Sequence, residues 1–131
     1  MSLPVLPIRL RKLEVTLAVC RCDASATVEP WMQREPFWSI TKTADELSIV
    51  CAIDAVPPGV RHEGPFAVFA VAGPLDFTLT GIAAQITTPL ADAGISVFVT
   101  ATFDTDYVLV PQPRQDDARE AWLAAGLAVD A

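Results

Sequence analysis

Alternating apolar and polar positions predict strands in the first part of the chain. Every second residue from Leu13 to Val19 is apolar, which is typical of a half-buried strand. The same alternation runs from Leu47 to Ile53, after a predicted turn. We therefore expect a strand, a short helical segment and a β-hairpin, over 13–22, 23–35, 37–43 and 46–53.

After residue 65 the pattern alternates between strands and helices. The run 66–72 is apolar on both faces, and from Thr78 the apolar residues recur with helical spacing as far as Gly94. The predicted apolar stripe of this helix consists of Leu79, Ile82, Ala83, Ile86, Leu90 and Ala93. Pro89 lies inside the helix and predicts a kink or a local break, because proline has no N–H to donate.

The remaining pattern completes a second set of elements. Predicted in order are a strand over 95–103, a turn, a strand over 107–110, a helix over 116–125 ended by Gly126, and a short strand over 127–130. Acidic residues in the first turn of the second helix favour it through the helix dipole.

These elements predict an α+β protein of two units, residues 8–65 and 66–131. The second has the order βαββαβ, which is the ferredoxin-like plan of an antiparallel sheet with helices on one face. The first has only the front part of this plan and reads as a truncated copy. The Pro- and Gly-rich segment 56–65 is predicted to be the loop between them. A strand that is apolar on both faces needs cover on both, from the first unit or from a second chain.

Composition and charge narrow the function classes. The chain has 131 residues, of which 52% are apolar and 19% charged, so it can bury a proper core. The net charge is −7, which argues against a nucleic-acid partner. The acidic excess falls after residue 42, so a site there suits a cation or an ammonium group better than a phosphate.

Nothing in the sequence predicts a membrane protein or a secreted disulfide scaffold. No apolar run approaches the length of a membrane span, and prolines interrupt the N-terminal segment. The three cysteines, Cys20, Cys22 and Cys51, are too few for a disulfide framework and favour a reducing cytoplasm. We expect no metal and no cofactor, since Cys20 and Cys22 lack further ligands near them in sequence.

Several segments of the chain carry a resemblance to a known family. The segments 73–82 and 89–96, followed by Thr102-Phe-Asp-Thr-Asp-Tyr-Val-Leu-Val110, resemble ACT domains. Together with 37–50, they resemble the tandem-ACT group that includes the CASTOR arginine sensors of animals. The resemblance implies a ligand-sensing module that binds an amino acid between paired domains, at the turn joining the first strand to the first helix.

The resemblance also implies a set of ligand-binding residues. The strand-to-helix turn and the following hairpin match the family's ligand segments and contain the candidate ligand-binding residues Asp76, Leu79, Thr80, Gly81, Ile82, Thr102, Phe103, Asp104 and Asp106. The aromatic residue and the aspartate that the arginine sensors place around their ligand fall at Phe103 and Asp106. Two positions depart from the arginine sensors: Leu79 replaces an acidic residue and Ala101 a serine. These departures leave the ligand open between arginine and an apolar or small amino acid.

The chemistry of these residues suits a zwitterion. A helix N-terminus exposes unpaired N–H groups, so the amides of residues 80–82 suit an α-carboxylate. Asp104 and Asp106 can accept hydrogen bonds from an α-ammonium, and we expect Asp106 to be the functional one. Each residue also has a simpler interpretation: Gly81 as a packing residue, Asp76 as a helix cap, Phe103 as a core or interface aromatic, and the aspartates as turn residues.

Three functions are consistent with the sequence. We expect a cytoplasmic, non-enzymatic sensor that binds an amino acid or a similar small ligand, pairs as a homodimer and signals to a protein partner. The alternatives are a structural dimerisation module without a ligand and a small enzyme that uses carboxylates. The enzyme lacks any visible nucleophile, metal cage or phosphate loop.

Overall fold

The computed structural model describes residues 8–72 and 81–130. Its strands are β1 (Arg9–Cys22), β2 (Ser39–Lys42), β3 (Leu47–Ala52), β4 (Arg61–Val71), β5 (Phe98–Ala101), β6 (Asp106–Pro111) and β7 (Ala128–Val129). The α-helices are α1 (Ile82–Asp92) and α2 (Gln115–Ala124). Short 3-10 turns lie at Pro30–Gln33, Ile53–Ala55 and Gln112–Arg114.

The predicted order of elements is confirmed. The segment from β4 to β7 runs β4-α1-β5-β6-α2-β7, and a 3-10 turn stands where a short helical segment was expected between β1 and β2. The sheet, which is largely antiparallel but contains a parallel β1–β7 pair, and its two helices fit the predicted α+β, ferredoxin-like class. That the first part is a truncated copy of the second stays a prediction.

The chain divides into two compact units. The smaller unit is Glu14–Phe66, and the larger one combines Met1–Leu13 with Ala67–Ala131. Within the smaller unit the strands follow the order β2-β3-β1-β4. Its core is a cluster of small and medium apolar side chains: Ala18, Cys20, Met32, Leu47, Ile49 and Cys51. The face of β3 predicted from alternation is the one that fills this core.

In the larger unit the first residues of β1 lie beside the last strand. β7 pairs with β1 in parallel, with Arg9 opposite Ala128 and Leu10 opposite Val129, and β1 in turn neighbours β4. The strand order is therefore β7-β1-β4-β6-β5. A βαββαβ segment on its own would place β7 beside β4, so β1 enters this sheet from outside that segment.

Both helices pack on the sheet of the larger unit through few, fully buried side chains. Ile86 and Leu90 of α1 and Trp122 of α2 are almost completely inaccessible and share a cluster with Phe69 of β4. The predicted stripe is wrong at Ala83 and Ala93, which are exposed. The run Ala67–Val71 is buried on both faces within the single chain, so no second chain is needed to cover it.

The predicted helix ends are confirmed. Gly94 and Gly126 have φ of 71° and 90°, the left-handed region in which a side chain is strained. After Gly94, the Ile95 N–H donates to the Leu90 carbonyl at 2.9 Å, and after Gly126, the Leu127 N–H donates to the Trp122 carbonyl at 3.0 Å. These bonds satisfy carbonyls that a helix end leaves open.

Three sequence predictions need correction. The loop over 56–65 is wrong in its second half, because β4 begins at Arg61, where its backbone finds partners in β1. Pro89 does not break α1, which runs on to Asp92; so close to the helix end the proline removes only one backbone bond. The strand over 95–103 is shorter, since Ile95 closes the helix and β5 begins at Phe98.

Candidate functional site

A cavity of about 410 Å³ opens in the larger unit at the end of β4. It is lined by Arg11 of β1, the strand end Ala70, Val71 and Ala72, and Asp104, Thr105 and Tyr107 of the β5–β6 hairpin. This volume lies within the range of small-molecule sites. The cavity adjoins the position where the chain enters the segment 73–80, the predicted ligand turn.

Backbone and side-chain hydrogen bonds hold the walls of this cavity together. The Ala72 N–H donates to the Arg9 carbonyl at 2.8 Å and so fixes the end of β4 against β1. The Thr105 hydroxyl donates to the Val71 carbonyl and so fixes the hairpin turn against the end of β4. These hydrogen bonds hold β1, the end of β4 and the hairpin turn in fixed positions around the cavity.

The hairpin turn itself is closed by Thr102. Its N–H donates to the Thr105 carbonyl at 2.8 Å, and its hydroxyl lies 3.1 Å from the same oxygen. The Thr105 N–H lies 3.3 Å from the Thr102 hydroxyl oxygen. Thr102 thus shapes the turn that presents Asp104, and its own polar groups are occupied.

Two side chains of opposite charge, Arg11 and Asp104, line the cavity. Arg11 and Asp104 are both exposed, and both line the cavity. Neither side chain makes a hydrogen bond or an ion pair with any residue in the described part of the chain. A molecule in this cavity can therefore meet both the hydrogen-bond donors of the Arg11 guanidinium and the acceptor oxygens of the Asp104 carboxylate.

The structure separates the sequence-predicted site residues. Asp104 lines the cavity, and Asp106 lies in the β-ladder opposite Ala101, half-buried, and is not among the lining residues. The Phe103 side chain is 81% exposed at the hairpin tip, which disfavours a core role. Asp104 therefore lines the cavity, and the functional role that the sequence predicts for Asp106 stays a prediction.

Two of the other predicted residues, Gly81 and Ile82, lie at the start of α1. Gly81 precedes the helix with φ 78°, and its carbonyl accepts from the Gln85 N–H at 3.0 Å, so a left-handed backbone requires glycine here. The Ile82 side chain is buried in the core, which leaves only its backbone for a ligand. Asp76, Leu79 and Thr80 fall outside the described residues, and their role stays a prediction.

Sequence reasoning missed Arg11 and Tyr107. Arg11 lies on β1, fifty residues before the start of β4 at Arg61, and the strand was predicted to begin only at Leu13. Its position became visible only through the pairing of distant strands. Tyr107 follows the predicted aspartates directly and was assigned only to the returning strand, although a ring beside a turn is a common way to line a pocket.

A second cavity, of about 340 Å³, lies along the two helices. Its lining is Ala84, Gln85, Thr88, Pro89, Ala125 and Leu127, and it contains no charged side chain. The Gln85 Oε1 atom is buried without a hydrogen-bond partner among the described residues. This cavity does not offer the opposite charges that a zwitterion needs.

The cysteines of the smaller unit do not form a metal centre. No group of three or more His, Cys, Asp or Glu side chains within 8–72 and 81–130 is arranged to hold a metal ion. Contact with the Cys51 thiol, together with burial, raises the pKa of Cys20, and burial raises the pKa of Cys22. Both effects favour the protonated thiol, which is a poor metal ligand.

Neither described helix is long and apolar enough to cross a membrane.

Comparison with known proteins finds a family model and solved structures that are similar to this chain. Residues 61–121 match the family model of the ACT domain, and residues 16–59 match a separate model described as an N-terminal domain. Protein Atu0741 from Agobacterium tumefaciens is 36% identical, with a TM-score of 0.90 and coverage of 96% of this chain and 94% of that one. No curated protein sequence matches the chain.

More distant structures share the fold alone. A Vibrio cholerae protein of unknown function, described as a possible transport protein, is 18% identical with a TM-score of 0.75, over 91% of this chain and 90% of that one. The regulatory subunit of aspartate kinase from Thermus flavus is 11% identical with a TM-score of 0.59, over 93% and 98%.

The family match and the geometry agree on the same part of the chain. The ACT model begins at Arg61, where β4 begins, and extends into α2, so it includes Asp104 and Tyr107. Arg11 lies outside this match and reaches the cavity from β1. The chain therefore contains an ACT domain at residues 61–121 and belongs to the same protein family as Atu0741 of Agobacterium tumefaciens.

Proposed function

We propose that this protein is a non-enzymatic regulatory protein whose ACT domain binds an amino acid in the cavity at the end of β4. The observation that carries the proposal is the position of Asp104. This residue, which the sequence offers beside Asp106 as an acceptor for an ammonium group, lines a ligand-sized cavity together with the end of the strand that leads into the predicted ligand turn.

The charge of the site supports an ammonium-bearing ligand. Asp104 lies in the acidic part of the chain and has no side-chain partner among residues 8–72 and 81–130, and a carboxylate forms strong hydrogen bonds with an ammonium group. The shared fold of the aspartate kinase regulatory subunit adds support for a regulatory role. We also propose that the protein is related to the tandem-ACT arginine sensors and that it is located in the cytoplasm.

A thermal-shift screen tests the proposal. At least one of the twenty L-amino acids, at about 10 mM, should raise the melting temperature, because a ligand that binds only the folded state stabilises it. Asp104→Asn should abolish this shift, whereas Asp92→Asn, an exposed aspartate at the end of α1, should retain it. If no amino acid stabilises the protein, or if Asp104→Asn responds like the wild type, the proposal is wrong.

A homodimer formed through β5 is the second part of the proposal. β5 is the edge strand of the larger unit's sheet, and Val97, Phe98, Val99 and Phe103 in and beside it are exposed. An exposed apolar edge strand is a template for pairing with another chain. Sedimentation should show a dimer that Val99→Lys dissociates and that Leu123→Lys, an exposed position on α2, leaves intact. A wild-type monomer would exclude it, as would a dimer that survives Val99→Lys.

A further inference from the structure

We infer that Arg11 binds the carboxylate of the ligand, so that an α-amino acid lies between Arg11 and Asp104. The inference rests on the proposed function and refines it. It assigns a binding residue outside the matched ACT segment and defines the ligand class as a molecule with one free carboxylate and one free ammonium.

The unpaired charges are the first argument. Arg11 and Asp104 line the same cavity, yet they form no ion pair, so their charged groups are more than 4.0 Å apart. Neither has another partner among the residues that the structure describes. An α-amino acid carries its carboxylate and its ammonium group on the same carbon atom, so it can pair with both side chains at once. Neither a simple anion nor a simple amine can do this.

The chemistry of arginine is the second argument. The guanidinium is planar, always charged, and presents paired donors that match the two oxygens of a carboxylate. Asp104 is an acceptor only and cannot hold a carboxylate. The carboxylate of a bound amino acid therefore belongs at Arg11 and the ammonium at Asp104.

The third argument is that β1 holds Arg11 firmly. Its backbone neighbours bond to strands on both sides: the Arg9 carbonyl accepts from the Ala72 N–H, and the Leu10 carbonyl accepts from the Asp130 N–H, each at 2.8 Å. Arg9 also pairs with the Asp130 carboxylate. A side chain on such a strand starts from a fixed point, so less of the binding energy is lost in ordering it.

This arrangement differs from the one predicted from the helix start. There the carboxylate lies on the amides of residues 80–82; here it lies on a side chain of another strand. Both arrangements need a free carboxylate on the ligand, so substitution of Arg11, tested with derivatives of the ligand, separates them.

Isothermal titration with three probes for each responding amino acid tests the inference. The probes are the free L-amino acid, its methyl ester, which lacks the carboxylate charge, and its N-acetyl derivative, which lacks the ammonium charge. Wild-type protein should bind the free amino acid about 10- to 100-fold more tightly than either derivative, the factor expected for one hydrogen-bonded charge.

Substitution of Arg11 should remove only the protein's preference for a ligand with a free carboxylate. Arg11→Gln should weaken binding of the free amino acid by about the same 10- to 100-fold factor. This variant should then bind the methyl ester as tightly as it binds the free amino acid. Arg61→Gln, an exposed arginine that is not among the cavity residues, should bind like the wild type. Melting temperatures without ligand should be the same for all three proteins, because Arg11 has no partner among the described residues.

The possible failures are distinct. If Arg11→Gln binds the free amino acid as tightly as wild type and still rejects the ester, another group holds the carboxylate; the inference is then wrong, while the proposed function stands. If the wild type binds the methyl ester as well as the free amino acid, no carboxylate is recognised and the inference fails in the same way. If no amino acid binds the wild type, the proposed function fails and the inference with it.

Discussion

The rings of Trp122 and Phe69 meet edge to face, with centroids 4.9 Å apart and an interplanar angle of 76°. The Trp122 Nε1–H also donates to the Ile86 carbonyl at 2.9 Å, in the buried interior. One side chain of α2 thus contacts β4 through its ring and α1 through its nitrogen. Both helices are therefore attached to the strand whose end forms the cavity.

Replacing Trp122 should weaken the protein strongly. Trp122→Phe removes a buried hydrogen bond and leaves part of the indole volume empty, so we expect a loss of about 2–3 kcal/mol in the free energy of unfolding. Trp38→Phe is the matched control, since Trp38 is 38% exposed and should change stability by less than about 0.5 kcal/mol. Urea unfolding followed by circular dichroism measures both. Equal effects of the two substitutions would contradict this account of the core.

A second prediction concerns Gly64, where β4 passes close to β1. A Cβ at Gly64 would lie 3.0 Å from the Leu17 carbonyl oxygen and 3.2 Å from the Ile53 side chain, and φ is +142°. Gly64→Ala combines backbone strain with a contact that β1 cannot relieve. We expect it to cost about 2 kcal/mol or more in urea unfolding.

Gly59→Ala separates strain from crowding. Gly59 also has a positive φ, of +87°, but nothing lies within 4 Å of a Cβ there. This variant should lose only the strain contribution, about 1 kcal/mol. If it loses as much as Gly64→Ala, the close approach of the two strands is not what makes Gly64 necessary.

Gly64 also shows why the segment 56–65 was predicted wrongly. Its prolines and glycines are the residues of loops, and local composition describes that segment well as far as Val60. From Arg61 onward the backbone finds partners on β1, more than forty residues earlier, and a glycine is needed because that strand passes so close. Local pattern predicted the helices, the hairpins and the capping glycines, whose causes are local. It could not predict a pairing between distant strands.

The same reasoning applies to the site. Asp104 could be found from the sequence, because it lies in the short motif that carries the family resemblance. Arg11 could not, because its relevance depends on β1 lying beside β4 in the larger unit. Asp106 was preferred over Asp104 on the motif alone, and the direction of two neighbouring side chains around a turn depends on hydrogen bonds such as those of Thr102.

Asp23 provides a local electrostatic test. Its carboxylate accepts from the Ser25 N–H at 3.0 Å and from the Ser25 hydroxyl at 2.9 Å, and these bonds hold the pKa of Asp23 below its ordinary value of 3.8. Ser25→Ala removes the hydroxyl bond and keeps the backbone one, so the pKa should rise part of the way back. A carbon-detected NMR titration measures it. The lowered pKa means that the stabilisation is present above the ordinary pKa and is lost as pH falls through the value in the folded protein. An unchanged pKa in Ser25→Ala would show that the hydroxyl contributes nothing.

Cys22 predicts how stability changes at high pH. The side chain is half-buried, and burial, with the nearby Glu29 charge, raises the pKa of its thiol above the ordinary value of 9.0, against a smaller opposing effect of Arg21. The unfolded chain then releases a proton near pH 9 that the folded chain retains, so Cys22 lowers the free energy of unfolding as pH rises above about 9. Urea unfolding at about pH 8 and pH 10 should therefore show a smaller loss of stability in Cys22→Ala than in the wild type. The comparison is a difference between two proteins, so the titration of lysines and tyrosines cancels. A Cys22→Ala variant that loses as much stability as the wild type between these two pH values would mean that the thiol ionises equally in both states.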